Sequence, residues 1–371
     1  MMLCLASCAS HRASPNADLL HETWMSQVET TSSRWTQGVD HWFMRPGGPP
    51  PVTAFYSEAL PLSAVMSSME VAVPRTLHYV KAAGAFQVQF FITRGRDSVT
   101  LYGPNALLRQ VTIHVTPQGI VLSQAPETSP NMNCVLVRIG VHALHDLVQK
   151  GSGLIIGQLA LRDPLHITSF GRGDIYLAGT LPVTAISSMG GGSVTVLGAV
   201  TPEVTIRARG RGDINLQGNV GVCTLTHTGS GDVNIVGANT DHLTIHAGGR
   251  GKIGLYGFLT VNEINARDWV RIYAYQVQGN HLEAHVTNFA RVGLKGSVKT
   301  LTVSVDQAAR FEGTYLKTKD AYVRARDRGH ANVQATNQLF ASAIQNGSIY
   351  YFGHASALTK IQQQNGTVLM L

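Results

Sequence analysis

Gly171-Arg172-Gly173-Asp174-Ile175-Tyr176-Leu177-Ala178-Gly179 is the stretch that decides the fold. It returns as GRGDINLQG at Gly210 to Gly218, GSGDVNIVG at Gly229 to Gly237 and GRGKIGLYG at Gly249 to Gly257. A form without the Asp, GGGSVTVLG, lies at Gly190 to Gly198. Internal repeats of this length are the signature of a stacked architecture. The first apolar residue after each turn is Ile155, Ile175, Val194, Ile214, Val233, Ile253, Ile272, Val292, Phe311, Ala331, Ile349 and Val368. Neighbours in that series are 18 to 20 residues apart. The glycines thin out after about residue 260, but the spacing does not change.

Within a unit the apolar residues alternate: Ile175 and Leu177, then Leu243 and Ile245, then Leu301, Val303 and Val305. Period two means strands with one buried face. Units of 19 to 20 residues are too short to hold a helical crossover between parallel strands. The chain must wind as an all-β solenoid, each strand pairing in parallel with its equivalent one coil on. The turn glycines Gly171, Gly173, Gly210, Gly212, Gly229 and Gly231 are expected where φ is positive or the next coil comes close. Asp174, Asp213 and Asp232 beside them are expected to bond free backbone N–H groups. A dinucleotide fingerprint is excluded, because no helix follows and the motif recurs in every coil.

Charged residues make up only 14% of the chain and there are 38 glycines. That balance suits a chain whose inward surface is buried along its whole length. The formal net charge of +7 biases partners towards anions. Leu5-Ala6-Ser7-Cys8 matches a bacterial lipobox, so residues 1–8 read as a truncated lipoprotein-type signal with lipidation at Cys8. The missing basic n-region and short apolar run keep an accidental match as the rival reading. Residues 9–70, with Arg45-Pro46-Gly47-Gly48-Pro49-Pro50-Pro51, read as a flexible tether, and 71–371 as solenoid. Cys134 and Cys223 read as small buried core residues. No stretch is long enough to span a membrane as a helix.

Gly84-Ala85-Phe86, Ser98 to Leu108, Gly119 to Leu122, Gly151 to Gly153 and the turns from Gly171 to Gly237 follow one another in a distinctive order. In that order the chain resembles the bacterial family called the "putative auto-transporter adhesin, head GIN domain", over about residues 72–260. Residues 261–371 diverge from it. The resemblance implies a right-handed parallel β-helix, an exported or envelope setting and frequent lipoprotein signals. It implies no catalytic residues and no ligand.

Stacking turns each repeat position into a column with neighbours about 4.8 Å apart. One outward column reads Asp174, Ser193, Asp213, Asp232, Lys252, Arg271, Arg291, Arg310, His330. Four cations on consecutive coils repel one another unless an anion offsets them. Tyr256, Tyr273, Tyr275 and Lys295 are expected beside them. Cations with exposed aromatics suit an anionic polysaccharide or a lipopolysaccharide head group. A solvated edge with its arginines fanned apart is the plainer reading of the same column. Arg172-Gly173-Asp174 and Arg211-Gly212-Asp213 spell an integrin tripeptide, but Ser230 in the Arg slot marks this as turn chemistry. Ser193 and Lys252 interrupt the Asp row, which argues against calcium. No metal-ligand set and no cofactor motif stand out, and no nucleic-acid recognition motif is present. The sequence therefore points to a non-catalytic, adhesin-like binding module of the envelope, tethered as an outer-membrane lipoprotein. The alternatives are a structural scaffold or protein-interaction module and, third, a carbohydrate-active β-helix enzyme, for which Asp213 and Asp232 are the paired carboxylates in that column. The oligomeric state stays open.

Overall fold

Ile155, Ile175, Val194, Ile214, Val233, Ile253, Ile272, Val292, Phe311, Ala331, Ile349 and Val368 pair with one another in a single parallel register line. Each is at most 3% exposed. This is the structure, a computed structural model, describing residues 66–125 and 132–371; Cys8 and the tether up to residue 65 lie outside the described residues. The chain forms a β-solenoid of about 12 turns. From residue 194 onward most coils are one continuous ribbon, such as Val194–Ala208 or Arg271–Val286, bent at bulges rather than split into two strands. One apolar core runs along the axis. A solenoid of this kind is held coil by coil, because each coil touches only its neighbours.

The turn glycines owe their place to close approach. A β-carbon on Gly212 would stand 1.9 Å from the Gly192 carbonyl oxygen of the coil below. Positive φ belongs to the glycine that closes the motif, as at Gly179 (φ 122) and Gly218 (φ 151), and to one opening glycine, Gly249 (φ 79).

The first coils do not follow sequence order. Strands β1 (Met66–Val71), β2 (Tyr79–Ala83), β3 (Gln87–Ile92), β4 (Ser98–Pro104), β5 (Val111–Thr116), β6 (Gly119–Gln124), β7 (Leu136–Val141), β8 (Asp146–Gln149) and β9 (Ile155–Ala160) build them. The β2–β3 coil lies between β6–β7 on one side and β8–β9 on the other, all in parallel. Val88 thus pairs directly with Ile155. Ser98 to Gly103 and Val111 to Val115 alternate apolar and polar residues as the coil strands do. They run antiparallel instead, β4 on β7 and β5 on β6, with β1 antiparallel on β4. The physical reason is the exposed edge at a solenoid end, whose free N–H and C=O groups need cover. A chain that doubles back supplies that cover locally.

Cys134 and Cys223 are half-buried free thiols, not fully buried core residues. Cys223 Sγ lies 3.3 Å from the Val204 carbonyl, at the coil edge where polar groups remain in reach.

Candidate functional site

Two turn chemistries meet at Lys252. In the glycine half, each acidic side chain accepts the backbone N–H of the equivalent residue one coil on. Asp174 Oδ1 accepts from Ser193 N–H at 2.7 Å, Asp213 Oδ1 from Asp232 N–H at 2.7 Å, and Asp232 Oδ1 from Lys252 N–H at 2.8 Å. Ser193 Oγ fills the same role for Asp213 N–H at 3.3 Å. The carboxylates of both Arg-Gly-Asp tripeptides are therefore engaged in the coil-to-coil ladder. The carbonyl of the glycine at the third turn position faces the core at two coils. Gln149 Nε2 reaches Gly153 O at 2.6 Å, and His227 Nε2 lies 2.8 Å from Gly231 O.

Beyond Lys252 the backbone carbonyl does the work of the Asp. Arg271 N–H donates to Gly251 O at 3.2 Å, Arg291 N–H to Val270 O at 2.9 Å and Arg310 N–H to Ala290 O at 2.9 Å. The column's side chains no longer serve the ladder and can take any charge. The inward column runs Gln149, Ser169, Ser188, Ala208 and His227, and is apolar from Ala247 on through Ala266, Val286, Val305 and Ala325.

Lys252, Arg271, Arg291 and Arg310 pair residue to residue on four consecutive coils. Arg271, Arg291 and Arg310 are exposed, and no ion pair involves them among the described residues. Lys252 Nζ stands 5.7 Å from the Tyr273 ring centre. Tyr256, Tyr275 and Lys295 form a second column four residues along, which Tyr315 extends. Lys295 Nζ lies 5.3 Å from the Tyr315 ring centre, and Tyr315 is 70% exposed. Tyr256 departs from the expected open aromatic. It is half-buried and stacked on Tyr275 at 5.1 Å, with its ring edge over Gly254. Burial pushes its phenol well above the usual tyrosine range, and Tyr275 and Tyr273 add to the shift.

Sequence reading missed Arg250, Trp269, Phe289 and Ala308. Trp269 and Phe289 occupy the turn slot held by Arg250 one coil earlier. Their rings stack at 4.2 Å and 9°, and they remain 54% and 45% exposed. With Arg250, Arg271, Arg291, Ala308 and Arg310 they line an open groove of about 580 Å³. The signal was available, since Trp269 and Phe289 lie two residues before Arg271 and Arg291, but exposed aromatics in a turn look like core from composition alone. A wider groove of about 920 Å³ runs over the glycine turns, between Lys150, Phe170, Met189, Arg172, Arg209 and Arg211.

One polar constellation lies apart from both grooves. His142 Nδ1 is 2.6 Å from Asp97 Oδ1, and His142 Nε2 is 3.3 Å from Thr76 Oγ1. Asp97, 5% exposed, also accepts the backbone N–H groups of Leu77 and His142. Its carboxylate is spent on clipping three segments of the first coils together.

Solved structures align with this chain at low identity and low TM-score. One described as a "putative adhesin", from Bacteroides fragilis, is 14% identical over 82% of this chain and 97% of its own, with a TM-score of 0.29. Another, from Parabacteroides distasonis and described as a "putative lipid binding protein", is 12% identical over 82% and 96%, with a TM-score of 0.28. A third, a "putative adhesin" from Parabacteroides merdae, is 10% identical over 82% and 96%, at 0.27. No curated protein matches the chain. The family described as "Putative auto-transporter adhesin, head GIN domain" matches residues 77–266 and 257–355, across both the glycine and the cationic coils. The chain belongs to that family, as an adhesin-type binding domain of the cell surface or envelope.

Proposed function

We propose that this solenoid is a non-catalytic envelope module that holds an anionic polysaccharide or lipopolysaccharide head group along its axis, against Lys252, Arg271, Arg291 and Arg310. One observation carries the reading: three guanidinium groups stand exposed on consecutive coils about 4.8 Å apart, with no carboxylate paired to them among the described residues. Such a row costs stability in the free protein and is relieved by a polyanion that spans it. An extended chain of acidic sugars advances per ring by nearly the same step, so one charge can meet each coil. Guanidinium suits sulfate, phosphate and carboxylate better than ammonium does, because its fork can donate two parallel bonds.

The test is the quadruple variant Lys252→Ser, Arg271→Ser, Arg291→Ser, Arg310→Ser on heparin and lipopolysaccharide resins. The wild-type chain is expected to elute at clearly higher salt than the variant. Equal elution of the two overturns the reading. Lipidation at Cys8 completes it by fixing the module to a membrane. Mass spectrometry of the N-terminal peptide from the native host decides that point, and an unmodified Cys8 removes the anchor.

A further inference from the structure

The groove beside the cation column contains a gap in an aromatic stack. The column of turn residues two before the cations runs Arg250, Trp269, Phe289, Ala308 and Arg328. Trp269 and Phe289 lie parallel at 4.2 Å, so their stack follows the solenoid axis from coil to coil. One face of Phe289 is covered by Trp269. The other looks along the axis towards the next coil, where the side chain is only the methyl of Ala308. Backbone bonds fix that order, with Phe289 N–H on Asp268 O and Ala308 N–H on Asn288 O, both at 2.9 Å. Phe289 and Arg328 are thus two coil spacings apart, roughly 10 Å, with one small residue between them. Beside the gap stand the exposed Arg291 and Arg310, and both line the same groove as Phe289 and Ala308.

We infer that this gap over Ala308 is a subsite for one terminal or side-branch sugar ring of an acidic glycan, its plane across the solenoid axis, its apolar face laid on Phe289 and its acid group on Arg291 and Arg310. The inference rests on the anionic-polymer reading above and adds to it the class of ligand. A pyranose ring suits the place chemically. One face of such a ring is a patch of C–H groups, weakly positive, and the face of Phe289 is weakly negative. Its acid substituent projects from the ring edge, where the two guanidinium groups lie. A flexible polyanion without rings would use the cations and leave the gap empty. Single-stranded nucleic acid could also stack a base here, but proteins that track it offer an aromatic platform for successive bases. This column offers a single two-ring stack for four cations, not a ring for each base, which favours the sugar.

The experiment fills the gap without changing charge. Ala308→Phe places a ring where the sugar would lie, and continues a stack that the coil already carries at Trp269 and Phe289. Ala308→Ser keeps the gap open and serves as the control. Binding of the full chain is measured by calorimetry against a heparin oligosaccharide, against inorganic polyphosphate and against a single-stranded oligonucleotide, matched in charge. Ala308→Phe is expected to weaken the oligosaccharide roughly tenfold or more, the size of one lost ring stack. Polyphosphate should be unaffected, and Ala308→Ser should match wild type. Equal binding of the oligosaccharide by wild type and Ala308→Phe overturns the subsite while leaving the cation column standing. An equal loss for polyphosphate also overturns it, because the change would then act through charge or fold. A loss for the oligonucleotide as large as for the sugar overturns the choice of ligand class. If wild type and the quadruple serine variant bind the oligosaccharide alike, it is the underlying polymer reading that fails.

Discussion

The coils from Gly151 to Gly251 and those from Lys252 onward solve one problem in two ways. Each must bind the backbone N–H that follows its turn to the coil below. From Gly171 on, the first set uses a side chain, Asp or Ser; the carbonyl of the glycine at the third turn position faces inward at the His227 coil, and also at the Gln149 coil, where Leu154 stands in the Asp slot. The second set uses the carbonyl itself. The difference explains several sequence features together. It accounts for where the acidic residues stop and why the inward column loses its polar members. The slot of Gly173, Gly192 and Gly212 is filled by Val270, Ala290 and Ala309 in the next coils, before glycine returns there at Gly329, Gly347 and Gly366. A turn that frees its outward side chains from backbone duty leaves them open to selection for binding. On this view the cationic half is the functional half, and the glycine half is committed to its own ladder.

The comparison predicts its largest effect at the close-approach glycines. In Gly212→Ala the new β-carbon meets the Gly192 carbonyl, a backbone group that cannot rotate away. The coils must separate locally, and a loss of about 4 kcal/mol or more is expected in denaturant melts. The equivalent residue Ala290 already carries a β-carbon and is fully buried. Ala290→Gly should cost only about 1 kcal/mol, from backbone entropy and one lost methyl. Similar losses for the two variants would show that the halves do not differ in coil approach.

A smaller effect separates the two ladders directly. Asp232→Ala leaves the Lys252 N–H without its acceptor and should cost about 2 kcal/mol, as expected for a lost charge-assisted bond. Asp232→Asn keeps an acceptor oxygen and should recover about half of that. Arg291→Ala should change stability by less than about 0.5 kcal/mol, because the next coil's N–H bonds the Ala290 carbonyl. Hydrogen exchange at the amides of Lys252 and Arg310 reads both cases. If Arg310 exchanges as fast in Arg291→Ala as Lys252 does in Asp232→Ala, the two-ladder account fails.

Much of this was legible in the chain itself. A strict period in the apolar residues is a direct print of stacking, so the register line from Ile155 to Val368 and the alignment of Lys252 with Arg271, Arg291 and Arg310 followed from spacing alone. The order of the first coils did not. Nothing in Val88 or Ile155 says that they pair across 67 residues, because parallel pairing leaves no local mark on either strand. Nor could alternation distinguish a coil strand from the antiparallel β4, which buries every second residue, or from β5, whose Val111, Ile113 and Val115 alternate although only Val111 is buried. Trp269 and Phe289 escaped because turn positions have no period-two rule to say which way they face. Tyr256 was misjudged as an open ring because its burial depends on Gly254, which lets the ring lie flat against the coil.

The smallest expected effect tests how the second half manages with a non-glycine residue at the positive-φ corner of each turn. Its turns place Asp268, Asn288, Gln307, Asp327 and Gln345 at positive φ, between 56° and 64°. Such a conformation costs an L-residue about 1–2 kcal/mol. Side chains offset part of that where they reach a neighbour. Asn288 Nδ2 donates to Asp268 Oδ1 at 3.0 Å, and Gln307 Oε1 accepts Asn288 N–H at 2.9 Å. Gln345 is exposed at its turn, and none of the side-chain hydrogen bonds found among the described residues is its own. Gln345→Gly should therefore relieve strain and lose only chain entropy, for a net change between zero and about 1 kcal/mol of stabilisation. Asn288→Gly relieves the same strain but loses its side-chain bond, and should come out about 1 kcal/mol less stable than wild type. The sign difference between these two chemically similar changes is the measurement. Matching signs would mean that the polar side chains at these corners are solvated bystanders, and that the carbonyl ladder alone holds the cationic coils together.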